Sequence, residues 1–175
     1  MRKIKIIGVF VIFLLSFLSH FMYERFPNTL FSLIFPVNES ILEHMKLLVI
    51  PVLIFSLIEY IIYKRKDIHY NNFILSYSIS ILFGIIIYLM VYLPIHYILG
   101  HSSIFAIILL FTVFIIIEII SYYIMCYKEI KYSNIIGIGI IIVMYIIFGY
   151  LTYYPLEIDL FYDTSKKIME YKNRY

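Results

Sequence analysis

Five apolar runs, each close to the length at which a helix crosses a bilayer, limit what this chain can fold into. About 20 consecutive apolar residues span the hydrocarbon layer as a helix. Inside that layer the backbone finds no water, so a lone run must satisfy its own N–H and C=O groups, and a helix does so. The runs predict helices over about 4–23, 38–63, 71–93, 102–126 and 134–152. The expected fold is therefore all-α: a polytopic transmembrane bundle of about five helices. It is followed by a polar C-terminal tail at about 153–175, which carries Pro155 and several charges and cannot span. Pro51 should kink the second helix or free a carbonyl, and Pro94 should stop the third. Gly137 and Gly139 should let a neighbouring helix approach closely.

Composition agrees. Hydrophobic residues make up 63% of the chain, against roughly half in soluble domains. With 19 tyrosines and no tryptophan, tyrosine must supply the interfacial aromatic belts. The net charge of +3 is small and its bases sit near the ends of the runs, a topology signal rather than a nucleic-acid surface. A single cysteine, Cys126, excludes a disulfide framework and a thiolate metal cage, and reads as a buried inert thiol. Met1–Lys5 and the apolar run behind them resemble a signal peptide. Phe17 before Ser19 spoils the small-residue cleavage pattern, so the segment reads as a retained first helix.

Arg2, Lys3, Lys5, Lys64, Arg65, Lys66, Lys128 and Lys131 all fall on one side of a five-helix bundle. The positive-inside rule then places the N-terminus in the cytoplasm and the C-terminal tail outside. Richness in Ile, Tyr, Lys and Asn suggests an AT-rich bacterial source and hence the plasma membrane.

Against this background the stretch from Phe35 to Pro51 is anomalous, because it holds Asn38, Glu39, Ser40, Glu43, His44 and Lys46. Ionisable groups at a membrane are costly and are usually retained for function. At 100° per residue Lys46, Glu39 and Glu43 share one helix face, continued by Ser40 and His44. The topology brings His20, Glu24, His96, His101, Asp159 and Asp163 to the same side. The expected site is an outward-facing polar pocket. Glu39, Glu43, His44 and His20 are its catalytic candidates, and Asn38, Ser40, Lys46, Asp159 and Asp163 support it. His20, Glu43 and His44 are candidate ligands for a divalent metal such as zinc, which takes imidazole and carboxylate donors with a position left open for water. The spacing differs from His-Glu-x-x-His, which sets two imidazoles one turn apart. The same groups can relay protons.

A plainer reading stands beside it. Asn38 caps a helix with Glu39 at the positive end of the dipole, and Glu43 with Lys46 is a surface pair worth a few tenths of a kcal/mol. His44 is then an interfacial ring. Glu118, inside the fourth run, needs a partner such as Ser121, Ser78 or a tyrosine hydroxyl; it is a proton site or a protonated packing residue. Glu59 should pair or snorkel toward Lys64–Lys66, and His69 should be solvated. His101 with Ser102 should cap the fourth helix.

The segment Pro36-Val-Asn-Glu-Ser-Ile-Leu-Glu-His-Met-Lys46, with His20 on the preceding helix, resembles the hallmark of a bacterial family of small multi-pass membrane proteins with no assigned function. Tyr154-Pro-Leu-Glu-Ile-Asp-Leu-Phe-Tyr-Asp163 is similar to that family's closing segment. Leu42 stands where tryptophan is usual and Tyr154 where a second proline is usual; neither touches the polar positions. The resemblance groups His20, Asn38, Glu39, Glu43, His44, Lys46 and Asp163 and implies no activity. Three functions stay open: an intramembrane or interfacial hydrolase, with or without a metal, on a lipid or peptide; a proton- or ion-coupled transporter or permeation protein; and a binding or assembly protein with a structural polar cluster. The lipid bilayer is an expected partner and nucleic acid is not, while a small-molecule, lipid or ion ligand and the oligomeric state stay open.

Overall fold

The computed structural model describes residues 1–155, so Asp159 and Asp163 lie outside the described residues. Eight helices occur there and no strand: α1 Arg2–His20, α2 Met22–Arg25, α3 Thr29–Ile34, α4 Ile41–His44, α5 Lys46–Arg65, α6 Phe73–Leu99, α7 Ser103–Cys126 and α8 Ser133–Tyr153. Phe21 joins α1 to α2, and Met45 joins α4 to α5 with helical backbone angles. Counted as continuous rods, five segments are long and apolar enough to cross a membrane.

Each rod reverses the direction of the last. α1 packs on α5 and α7, and α6 packs on α5, α7 and α8. Ile12, Leu48, Val52, Ile81, Val113, Phe114 and Ile117 are fully buried at their meeting. Leu14, Leu57, Met90, Ile104 and Ile135 point outward, as a lipid-facing surface requires. One end of the bundle gathers Met1, Arg2, Cys126 and the Asn71 turn: Arg2 Nε donates to Tyr122 Oη, and Asn71 Nδ2 to Tyr127 O. Cys126 lies there exposed, not buried as its residue type suggested. The other end gathers His20, the α3 segment, His44, His101 and Thr152.

Two of the expected boundaries shift. α6 runs through Pro94 to Leu99. A proline removes only its own N–H and crowds the carbonyl four residues back, a cost that a long apolar helix absorbs. α5 holds Pro51 inside it, as expected, but the start expected at 38 gives way to the short α4 and to Met45, after which α5 begins. The segment expected as a loop at 24–37 holds α2 and α3; Asn28 Oδ1 caps α3 by accepting from Phe31 N at 3.0 Å.

Gly137 and Gly139 divide. A Cβ on Gly137 would lie 2.6 Å from Leu75 N, whereas one on Gly139 would meet nothing within 4 Å. Ser78 Oγ also donates to Gly137 O across this α6–α8 contact, at 2.9 Å. Gly137→Ala should therefore cost about 1–3 kcal/mol by forcing two backbones apart. Gly139→Ala should be neutral or slightly stabilising through helix propensity. Thermal unfolding of both variants in detergent checks this; equal melting temperatures would contradict it.

Candidate metal centre

The motif after Pro36 is a folded turn rather than the first turns of one helix. Asn38 Oδ1 accepts from Ser40 N at 3.0 Å, closing a turn that leaves Glu39 outside α4. Ser40 is the N-cap, its Oγ accepting from Glu43 N at 3.3 Å. Glu39 and Glu43 therefore do not share a helix face. The physical reason is local: side chains such as Asn38 and Ser40 offer backbone N–H groups an alternative to the helix ladder.

Glu43 and Lys46 turn into the protein, where Glu43 is 3% exposed and Lys46 1%. Lys46 Nζ donates to Glu43 Oε2 at 2.7 Å, Thr152 Oγ1 at 2.8 Å and Ser32 O at 2.7 Å. Glu43 also accepts from Thr152 Oγ1 at 2.7 Å and Val37 N at 3.0 Å. A surface pair it is not. This clamp ties α3, the Pro36 turn, α5 and α8 together, and Lys46 takes up carbonyls left free at the end of α3.

Glu39 faces the other way, between two imidazoles. Its Oε1 lies 3.5 Å from His20 Nε2 and its Oε2 lies 3.3 Å from His44 Nε2. His44 Nδ1 is 2.9 Å from Ser40 O. A carbonyl only accepts, so Nδ1 carries a hydrogen; Nε2 donates to Glu39 when it is protonated and offers its lone pair to a metal when it is not. One donor atom from each of His20, Glu39 and His44 falls within 4.8 Å of the others. Tetrahedral zinc with bonds of 2.0–2.1 Å sets its donors about 3.4 Å apart. The Glu39 carboxylate is held below the ordinary range by the His44 hydrogen bond, aided by the nearby imidazoles and opposed by burial. It is thus ionised and ready to ligate.

The three donors open on a cavity of about 240 Å³. Phe17, Leu47, Ile107 and Leu110 line its apolar part, and Ser16, Tyr88, His101 and Ser103 add polar atoms. His101 was expected as a cap; Ser102 alone caps α7, accepting from Phe105 N. His101 is instead held by Tyr92 Oη at 2.9 Å and Ser103 Oγ at 3.2 Å. Burial, with the imidazoles of His96 and His44 nearby, pushes His101 below the ordinary imidazole range. His96 stays in α6, stacked on Tyr92.

Of the sequence candidates, then, His20, Glu39 and His44 come together, Asn38 and Ser40 shape the turn beneath them, and Glu43 and Lys46 form the clamp. The sequence model for a family of unknown function, DUF6512, matches residues 1–169. The chain belongs to the DUF6512 family. Comparison with curated proteins gives no match, and neither does comparison with solved structures. The function of this DUF6512 chain must accordingly be argued from its own atoms.

Sequence reasoning passed over a second polar cluster, in which Lys5 was read only as a topology signal. Lys5 Nζ lies 2.9 Å from Glu59 Oε2 and 3.2 Å from Glu118 Oε2, and all three residues are buried. Glu59 does not snorkel toward Lys64–Lys66; it is 0% exposed and accepts from Tyr63 Oη at 2.7 Å and from Tyr77 Oη. A signal existed: Lys5, Gly8 and Ile12 recur at helical spacing, which sets Lys5 on the inward face of α1.

Proposed function

We propose that this protein is a metal-dependent hydrolase acting at the membrane interface, with His20, Glu39 and His44 holding a divalent ion of the zinc class. The observation that carries this reading is the three-donor cluster at the mouth of a cavity with apolar walls. Three protein ligands leave a position open, as catalytic zinc sites do. A metal there supplies a polarised carbonyl or a hydroxide at neutral pH. His101, neutral and oriented by Tyr92 and Ser103, lines the same cavity and is placed to carry a proton. Glu43 is spent in the clamp, so Glu39 acts as ligand and no carboxylate of the motif is left as general base. The apolar lining favours a lipid or a membrane-embedded peptide over a small polar substrate.

The basic residues at the opposite end, Lys64–Lys66, Lys128 and Lys131, support a cytoplasmic N-terminus and a site facing outward. Transport is less well supported. The fully buried layer of Ile12, Val52, Val113 and Phe114 lies between the two polar clusters and would have to open for any ion to pass.

Metal analysis of purified protein tests the reading. We expect the wild type and any folded Glu43→Gln to retain about one zinc equivalent per chain through desalting, and His20→Ala, His44→Ala and Glu39→Gln to bind too weakly to retain it. Metal-free wild-type protein after zinc loading and desalting would end it.

A further inference from the structure

We propose that the Lys5–Glu59–Glu118 cluster is a second ligand site, binding one exchangeable proton on the Glu118 carboxyl. Two carboxylates face one ammonium, so the fully ionised cluster holds one negative charge in excess. All three side chains are buried, where an uncompensated charge is costly and a proton removes the cost.

Hydrogen bonding decides which carboxyl takes the proton. Glu59 accepts from three donors, Lys5 Nζ, Tyr63 Oη and Tyr77 Oη, so its oxygens are already occupied by N–H and O–H groups that an added proton would have to displace. Glu118 is 2% exposed, and neither of its oxygens has a hydrogen-bond partner. Among the described residues the cation beside it is Lys5, at ion-pair distance but aimed at Glu59, Ser121 and Tyr77. Ser121, the partner expected from sequence, donates to the Glu118 backbone carbonyl instead.

Four helices contribute to the cluster among the described residues. α1 supplies Lys5 and Arg2, α5 supplies Glu59 and Tyr63, α6 supplies Tyr77, and α7 supplies Glu118, Ser121 and Tyr122. Arg2 does not neutralise the excess, because its Nε is turned to Tyr122 Oη at 3.1 Å. Exchange has a route: Lys5 and Glu118 line a groove of about 490 Å³ with Arg2, Tyr122 and Tyr123 at the basic end of the bundle. On α1 the cluster stands fifteen residues from His20, about 22 Å along the helix axis. It therefore stands or falls independently of the metal centre.

Infrared spectroscopy of the purified protein in lipid nanodiscs, in H2O and D2O at neutral pH, tests this. The expected result is a protonated-carboxyl C=O band that shifts in D2O, disappears in Glu118→Gln and moves in Glu118→Asp. Glu118→Gln should also keep the wild-type melting temperature, since an amide matches the shape and charge of the proton-loaded acid. Absence of the band in wild-type protein would overturn the proposal; a bound sodium ion with both carboxylates ionised would give that result. A band unchanged in both variants would overturn it too. So would failure of Glu118→Gln to fold, because the neutral isostere would then not substitute.

Discussion

Lys46→Met should destabilise the protein by about 3–5 kcal/mol, the usual cost of removing one partner from a buried ion pair. The substitution keeps most of the side-chain volume but leaves Glu43, 3% exposed, without its cation. It also strips a donor from Ser32 O and from Thr152 Oγ1. The double variant Glu43→Leu, Lys46→Met should recover part of the loss, since it removes the stranded charge. Recovery should be incomplete, because Val37 N and Ser32 O remain orphaned at about 1–3 kcal/mol each when buried. Denaturant unfolding in detergent measures all three proteins. A single variant as stable as wild type would mean that the clamp does not hold the α3 segment to α5 and α8.

The architecture was legible because bilayer physics leaves apolar runs of this length few options. Run lengths predicted five spans, and five rods of suitable length and composition are present. What the runs did not reveal were the places where a local rule loses to its surroundings. Pro94 breaks a helix in water, yet α6 passes through it. The site was half legible for a related reason. Helical periodicity, extended back to Asn38, put Glu39 and Glu43 on one face, whereas the Asn38–Ser40 turn ends the periodicity two residues before α4 begins. That turn sends the two carboxylates in opposite directions, one to the imidazoles and one to Lys46. His20 was found by topology alone, since an antiparallel pair of rods must bring the end of α1 to the start of α4. Lys5 was missed because a lysine near a terminus carries a topology signal whether or not it is buried. Its burial depends on Glu59 and Glu118, acids on two other helices that no local pattern connects to it.

Zinc binding should weaken steeply in acid, and the slope identifies the ligands. A metal and a proton compete for the same lone pairs on His20 Nε2 and His44 Nε2. In the metal-free state a proton on His44 Nε2 is welcome, because Glu39 Oε2 stands 3.3 Å away to accept from it. Glu39 does not join the competition in this window. Its carboxyl is held below the ordinary range, so it takes up a proton only at lower pH still. Where both imidazoles are protonated in the metal-free protein, affinity should therefore fall by up to about a hundredfold per pH unit, one factor of ten for each imidazole. Where both are already neutral it should level off. His20→Ala should lower the affinity and also halve the slope, since one competing proton is gone. Asn38→Ala acts differently: it loosens the turn that presents Glu39 and should cost about 10–100-fold in affinity, as the loss of an orienting partner does, with the slope unchanged. Competition titrations against a zinc chelator across pH, on the wild type and both variants, separate a positioning residue from a ligand. Zinc uptake that ignores pH, or a His20→Ala slope equal to the wild type, would place the ion elsewhere.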